Sequence, residues 1–396
     1  MIYPVKYLHS AMRGAPVLSG TAGSLLAVLD ACLGTGFGLT TLPSLTVSGG
    51  VATATVDAGN SFDEGAIVLI DGATPGALNG EARVLTTTST GFTFATSAPD
   101  GPATGTITAK YAPIHSWAKI YADTNVAVWQ SQDPQANGHL LRVDDSGTTA
   151  ARVRGYESMT DANTGTGPFP TDAQISGGGY WGKSMSAGST AVKWRLFGDG
   201  RFILPLTCPG MSQNATYDNS HARGFGDLVG LAPGGDQWAT VLSAFAGALP
   251  SNPQYGALSQ GGVSNFGSGY GFAVAPRLFN GAGGSAAITP RPYCGSSTGK
   301  SGSDGMMGAF PGGIDGRLRL SPIYLMESDN GLPRADVPGV FYCPQSGIVN
   351  YIKPGGMIEG SGAYAGRRFV ALGVVYNGFG YAADGIYFVD ATGPWR

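Results

Sequence analysis

"GATPGALNGEARVLTTTSTGFTFATS", residues 72–97, opens on turn formers and closes on threonine, valine and phenylalanine. Threonine and aromatic side chains suit a pleated, half-buried surface, so 82–88 and 91–96 read as strands. The same chemistry continues outward in "SLTVS" (44–48), "VATATVD" (51–57), "AIVLI" (66–70) and "GTITAK" (105–110). "VATATV" alternates with the period of a strand, and Gly49-Gly50 supplies a two-residue hairpin turn. Six short strands in about seventy residues predict a small closed barrel or sandwich over 41–112. This module holds no His, Cys or Trp, and its carboxylates, such as Asp63, Glu64 and Glu81, show no repeated spacing. It reads as a spacer or contact module, not a reaction site.

Composition extends that reading to the whole chain. With 396 residues, two or three domains are expected. Glycine fills 65 positions and proline 25, yet 42% of residues are hydrophobic and 10% aromatic. That is enough apolar surface to build cores, so the glycines read as turn residues between many short strands. Charged residues are only 12% of the chain, about half the usual share. Such a surface is either covered by other subunits or polar through Ser, Thr, Gly and Asn. The net charge is -3, with no basic stripe, so nucleic-acid binding is not expected. Cys32, Cys208, Cys294 and Cys343 form no CxxC pair and read as reduced, buried residues. The first residues lack an apolar run of signal-peptide length, and no stretch is long and apolar enough to span a membrane. The expected setting is the cytoplasm, or export by a route that needs no signal.

The fold class expected is therefore mainly β and multidomain: a small β-barrel or sandwich module plus a larger irregular β-sandwich region, with few short helices. Residues 1–40 read as an N-terminal arm with a short docking helix, 41–112 as the small module, 113–330 as a central β-rich domain with long loops, and 331–396 as a C-terminal β segment packing on it. In the arm, "SGTAGSLLAVLDACL" (19–33) has an apolar stripe of Leu25, Leu26, Val28, Leu29, Cys32 and Leu33, capped by Ser19 or Thr21 and stopped by Gly34. Leu25, Leu26, Val28, Leu29 and Leu33 either dock on their own domain or insert between neighbouring subunits. "WRLFGDGRFIL" (194–204) reads as a hairpin turning at Gly198-Asp199-Gly200. "QWATVLSAFAGAL" (237–249) reads as a second helix capped by Asp236, with Trp238, Val241, Leu242 and Phe245 on one face. "RRFVALGVVY" (367–376) reads as a central strand paired with "GIYFVDA" (385–391), and Trp395 as a pin for the tail.

Three apparent catalytic signatures fail on mechanics. "CGSSTGKS" (294–301) places Cys294 where a phosphate loop needs glycine, and no helix follows. The same stretch holds G-x-S-x-G around Ser297 without the strand and helix of a nucleophile elbow. "DANTGTG" (161–167) starts like a calcium loop but has Thr166 at position six and Asp172 at position twelve. His9, His115, His139 and His221 lie far apart, so no metal and no cofactor are expected. Asp144, Asp145, Asp227 and Asp236 read as loop acids. Tyr180 and Trp181, in the Gly-rich "GGGYWGKS" (177–184), either fill a β core or present a receptor contact.

"HSAMRGAPVLSGTAGSLLAVLDACLGTGFG" (9–38), "GATPGALNGEARV" (72–84) and "DATGPWR" (390–396) resemble virion structural proteins of long-tailed bacteriophages and prophages of the Mu-like type. The resemblance implies a non-enzymatic subunit of a bacteriophage virion, most of all a tail-tip or baseplate component. The alternatives are a receptor- or glycan-binding tail protein, and a head decoration or head–tail joining protein. Its partners would be copies of itself and other virion proteins, with a host surface glycan or protein for the receptor-binding alternative. No nucleic acid and no membrane insertion are expected, and the location would be the virion, assembled in the host cytoplasm.

Overall fold

Alternation at residues 45–55 sets the first sheet. Leu45, Val47, Ala52 and Ala54 point inward, while Thr46, Ser48, Val51, Thr53 and Thr55 point out. Gly49 and Gly50 both adopt positive φ, +58° and +79°, which closes the hairpin between Leu45–Ser48 and Val51–Thr55. The computed structural model describes residues 4–56, 61–212, 220–249, 255–295, 299–374 and 383–396. Among them the chain is mainly β.

The small module is a half-barrel sheet by its pairings. Val51–Thr55 pairs with Gly91–Ala95, which pairs with the second half of Gly80–Thr88. The first half of Gly80–Thr88 pairs instead with Ile67–Asp71, which pairs with Thr108–Tyr111. Thr108–Tyr111 then meets Phe37–Thr41 at one end of the sheet, while Val51–Thr55 meets Leu45–Ser48 and then Gly101–Pro102 at the other. A register shift between Val84 and Thr86 lets one strand serve both halves, as bulges do at barrel corners. Phe62 packs edge to face on Phe92 at 5.2 Å and on Tyr111 at 4.8 Å, and Phe94 stacks on Phe92 at 6.1 Å.

The body is one long antiparallel succession. Trp117–Asp123, Val126–Ser131, Leu140–Asp144, Ala150–Tyr156 and Gly179–Gly182 pair in order, and Tyr180 then meets Phe245 of Thr240–Phe245. From there the sheet runs through Gly271–Ala275, Ala286–Pro292, Ser321–Glu327, Pro333–Tyr342, Gly385–Asp390 and Arg368–Val374. A branch leaves Thr240–Phe245 through Phe225–Asp227 and Phe202–Ser212 to Gly188–Gly198. The 194–204 hairpin stands as expected; Asp199 Oδ1 accepts from the N–H groups of Arg201 and Phe202, each at 2.8 Å.

Several expectations need correction. Residues 1–40 are no separate arm. Lys6–His9 and Leu18–Gly20 are strands on the edge of Gly188–Gly198, and Phe37–Thr41 is a barrel strand. The boundary at 330/331 falls inside a hairpin, since Tyr324 pairs with Asp336. The 237–249 segment is no helix but the strand Thr240–Phe245, buried at every residue and paired on both edges. A strand covered on both faces is apolar throughout, so periodicity alone cannot separate it from a buried helix. The Gly-rich stretch 177–184 contains the strand Gly179–Gly182.

The N-terminal helix is real but shorter, Ser24–Asp30, followed by one wide turn at Ala31–Thr35. Neither Ser19 nor Thr21 caps it. Its first N–H groups at Leu25 and Leu26 are taken by Asp145 Oδ2 at 2.7 and 3.2 Å, from 120 residues away. Lys183 Nζ binds the other oxygen of Asp145 and the Thr21 carbonyl, and both side chains are fully buried.

The barrel is locked to the body. A continuous core runs from Phe92 and Tyr111 through Leu29 and Leu33 to Trp194 and Leu242. Buried Lys6 pairs with Glu81 and the Pro113 carbonyl. Arg368 bridges Glu64 of the barrel at 3.0 Å and Glu359 at 2.7 Å. Between the two parts lies a cavity of about 480 Å³, walled by Tyr7, His9, Arg83, Lys193, Arg195 and Arg368 among others.

Candidate functional site

The residues singled out in sequence do not come together. Leu25, Leu26, Val28, Leu29 and Leu33 are all buried in the chain's own core, so the stripe has no surface to offer a neighbouring subunit. Trp181 is buried as well, its indole N–H donating to the Ser243 carbonyl at 3.0 Å. Tyr180, half-buried on the other face of the same strand, lies under the Arg152 guanidinium at 4.1 Å. Strand alternation sends the two rings to opposite faces, so they cannot form one receptor contact.

Asp161 Oδ1 accepts the N–H groups of Asn163 and Thr164 at 2.7 and 2.8 Å, which holds its carboxyl below the usual range. Asp172 is held by Arg154 at 2.6 Å. This is a closed polar turn. Ser297 lies outside the described residues; beyond it Ser301–Asp304 turns without a helix, and Lys300 pairs with Asp384. Among the described residues no three His, Cys, Asp or Glu side chains converge to hold a metal ion.

A site the sequence reading missed lies where 133–139 meets 227–240. Three of the four acids read as loop residues are buried structural groups: Asp145 under the helix, Asp227, and Asp236. Asp227 Oδ1 accepts from the Thr240 hydroxyl at 2.8 Å, and its Oδ2 accepts from the Asn137 N–H at 2.8 Å. Burial pushes the Asp227 carboxyl up, against the pull of these two bonds. Thr240 has given its one proton to Asp227, so Asn137 Nδ2 at 3.2 Å and His139 Nδ1 at 2.8 Å must both donate to it. That fixes the His139 tautomer and leaves Nε2 as the ring's acceptor.

Trp238 stands beside this network. The Asp236 carboxylate accepts the Trp238 backbone N–H at 2.9 Å and is itself gripped by Arg334 at 2.9 Å, both side chains buried. The Arg277 guanidinium lies 4.6 Å from the indole ring centre and is fixed by both oxygens of Glu157 at 2.7 Å. Gly281, at φ +76°, passes so near that a Cβ there would sit 3.2 Å from Trp238 Nε1. Two cavities of about 600 and 310 Å³ share Asn137, Gln237 and Trp238 as walls. His139 and Glu157 line the smaller, and half-exposed Phe279 with Asn280 line the larger. The signal in the sequence was Asp-Gln-Trp after Gly234-Gly235, a turn that aims an aromatic residue. It was read as a helix cap and a core face.

Burial lowers His139 from 6.5 to about 4. A histidine whose folded pKa is depressed takes up its proton first in the unfolded chain. Stability from this group is therefore full above pH 6.5 and is lost as pH falls toward 4, by about 2–3 kcal/mol at pH 4.5. Asp145 and Asp227, both pushed up by burial, work in the opposite direction, so the effect is isolated by comparison. The difference in denaturant midpoint between pH 7 and pH 4.5 should shrink in the chain's favour when His139→Gln is compared with the unaltered chain. Equal pH dependence in both would remove His139 as the cause.

Comparison with protein-family models, with curated proteins and with solved structures finds no match.

Proposed function

We propose that the chain is a non-enzymatic structural subunit of a bacteriophage virion, at the tail tip or baseplate, held in place by copies of itself and other virion proteins. One observation carries the reading. One part of the module's outer face is a field of hydroxyls without charged side chains. Thr46, Thr53, Thr93 and Thr86 stand side by side across four strands. Neighbouring strands lie about 4.8 Å apart. Thr86 and Thr93 bond through their hydroxyls at 2.7 Å, as do Ser44 and Thr55. Ser48, Thr55 and Thr88 extend the field, and exposed Val51 and Leu85 add apolar area to it.

A free surface is normally strewn with mixed charges, whereas the centre of an interface is depleted of them. A stiff, β-branched face locked to the body by a shared core and by ion pairs is suited to bearing on a neighbour. Thr53 is exposed, so replacing it by lysine should change stability by no more than about 0.5 kcal/mol. Thr53→Lys should therefore leave folding intact and cut incorporation into particles at least tenfold, measured by complementing a phage that lacks the chain. Normal incorporation of the lysine variant would overturn the proposal. Gold-labelling residue 396 in intact particles should mark the tail tip; label on the head would assign the chain there instead.

A further inference from the structure

We propose that the groove around Trp238 binds a neutral saccharide. This goes beyond the virion reading and does not depend on it, because a chain that fails to join a particle could still bind sugar through this groove. A sugar presents an apolar C–H face and a rim of hydroxyls that donate and accept together. The groove matches both features. Trp238 and Phe279 supply aromatic surface on its walls. Asn137, Gln237 and Asn280 carry side-chain amides, each able to donate and accept at one position. His139 adds an acceptor whose tautomer is fixed by Thr240.

Charge narrows the class. The two acids on the walls, Glu157 and Asp236, are each neutralised by an arginine, Arg277 and Arg334. Neither arginine lines the cavities, and neither does any lysine among the described residues. Each acid's charge is matched by its own arginine, and no spare cation among the described residues lines the walls to hold a phosphate, sulfate or sugar acid, so an uncharged ligand is favoured. The two volumes fall within the range of small-molecule sites and together suit a short oligosaccharide rather than a single ring. The site is also pre-organised. Arg277 and the close pass of Gly281 flank the indole, and Asp236 fixes the backbone at Trp238, so little side-chain freedom is lost on binding.

The test is a panel of neutral oligosaccharides built from glucose, galactose, mannose and N-acetylglucosamine, with sialylated and sulfated counterparts, applied to the purified chain and followed by calorimetry on hits. At least one neutral member should bind, and Trp238→Ala should weaken it tenfold or more. Gln237→Ala, at an exposed position that burial does not constrain, should weaken it several-fold while the melting curve stays unchanged. Tyr180→Ala should have no effect. No neutral ligand, binding confined to acidic glycans, or full binding by both Trp238→Ala and Gln237→Ala would each overturn the proposal. Because the readout uses the isolated chain, its failure is separate from any failure to join a particle.

Discussion

Asp145→Ala should destabilise the fold by about 3–5 kcal/mol, the scale seen when one partner of a buried ion pair is removed. The loss has two parts. Lys183 would keep a buried ammonium with only the Thr21 carbonyl to face. The first turn of the helix would lose the acceptor for the Leu25 and Leu26 N–H groups. Burial raises the Asp145 carboxyl, while Lys183 and those two N–H groups draw it back down, so the charged form rests on them. Asp145→Asn should fall between, because an amide oxygen can still accept at the helix start but cannot offset the ammonium. Pairing Asp145→Ala with Lys183→Met should recover part of the loss, since no unpaired charge then remains. Denaturant unfolding of the four proteins checks this. A cost below about 1 kcal/mol for Asp145→Ala would mean the pair carries no such weight.

Gly339→Ala should cost about 3 kcal/mol by overpacking and by strain at positive φ. Gly339 has φ +67°, and a Cβ there would lie 2.2 Å from Trp395 Cε2 and Nε1. The indole is buried beside Phe202 and donates to the Asp390 carbonyl at 3.0 Å. It has no room to retreat without leaving its pocket. Arg396 would leave with it, releasing Asp199 at 2.9 Å and the Asp227 carbonyl at 3.0 Å. Trp395→Ala alone should cost about 3–5 kcal/mol. In the double variant the clash is gone, so the two costs should not add; the shortfall should be about 2 kcal/mol, from the overpacking part. Additive costs would show that the alanine methyl and the indole do not meet.

Local pattern was strong wherever one face of a strand meets solvent. Alternation in 45–55 and 82–96 disclosed the barrel, and Gly49-Gly50 and Gly198-Asp199-Gly200 disclosed their turns. Trp395 was legible as a pin because a bare indole beside water is costly. Pattern failed where burial is complete. Thr240–Phe245 is apolar on every side, so its helix and strand readings are the same string of letters. It also failed for Tyr180 and Trp181, where the aromatic pair was legible and the faces it would be sent to were not. The helix stripe could be seen but not what covered it.

By itself the amino-acid sequence determined the β character, the hydroxyl-rich module and the scarcity of charge, because these depend on side-chain volume, branching and polarity at near neighbours. Tertiary structure alone decided that Asp145 caps a helix 120 residues away, that Leu25, Leu26, Val28, Leu29 and Leu33 face inward, and that Asp227, Thr240, Asn137 and His139 share one network beside Trp238. The reason is physical. A buried acid and a solvated one are the same letter, and what separates them is the partner that the folded chain brings within about 3 Å.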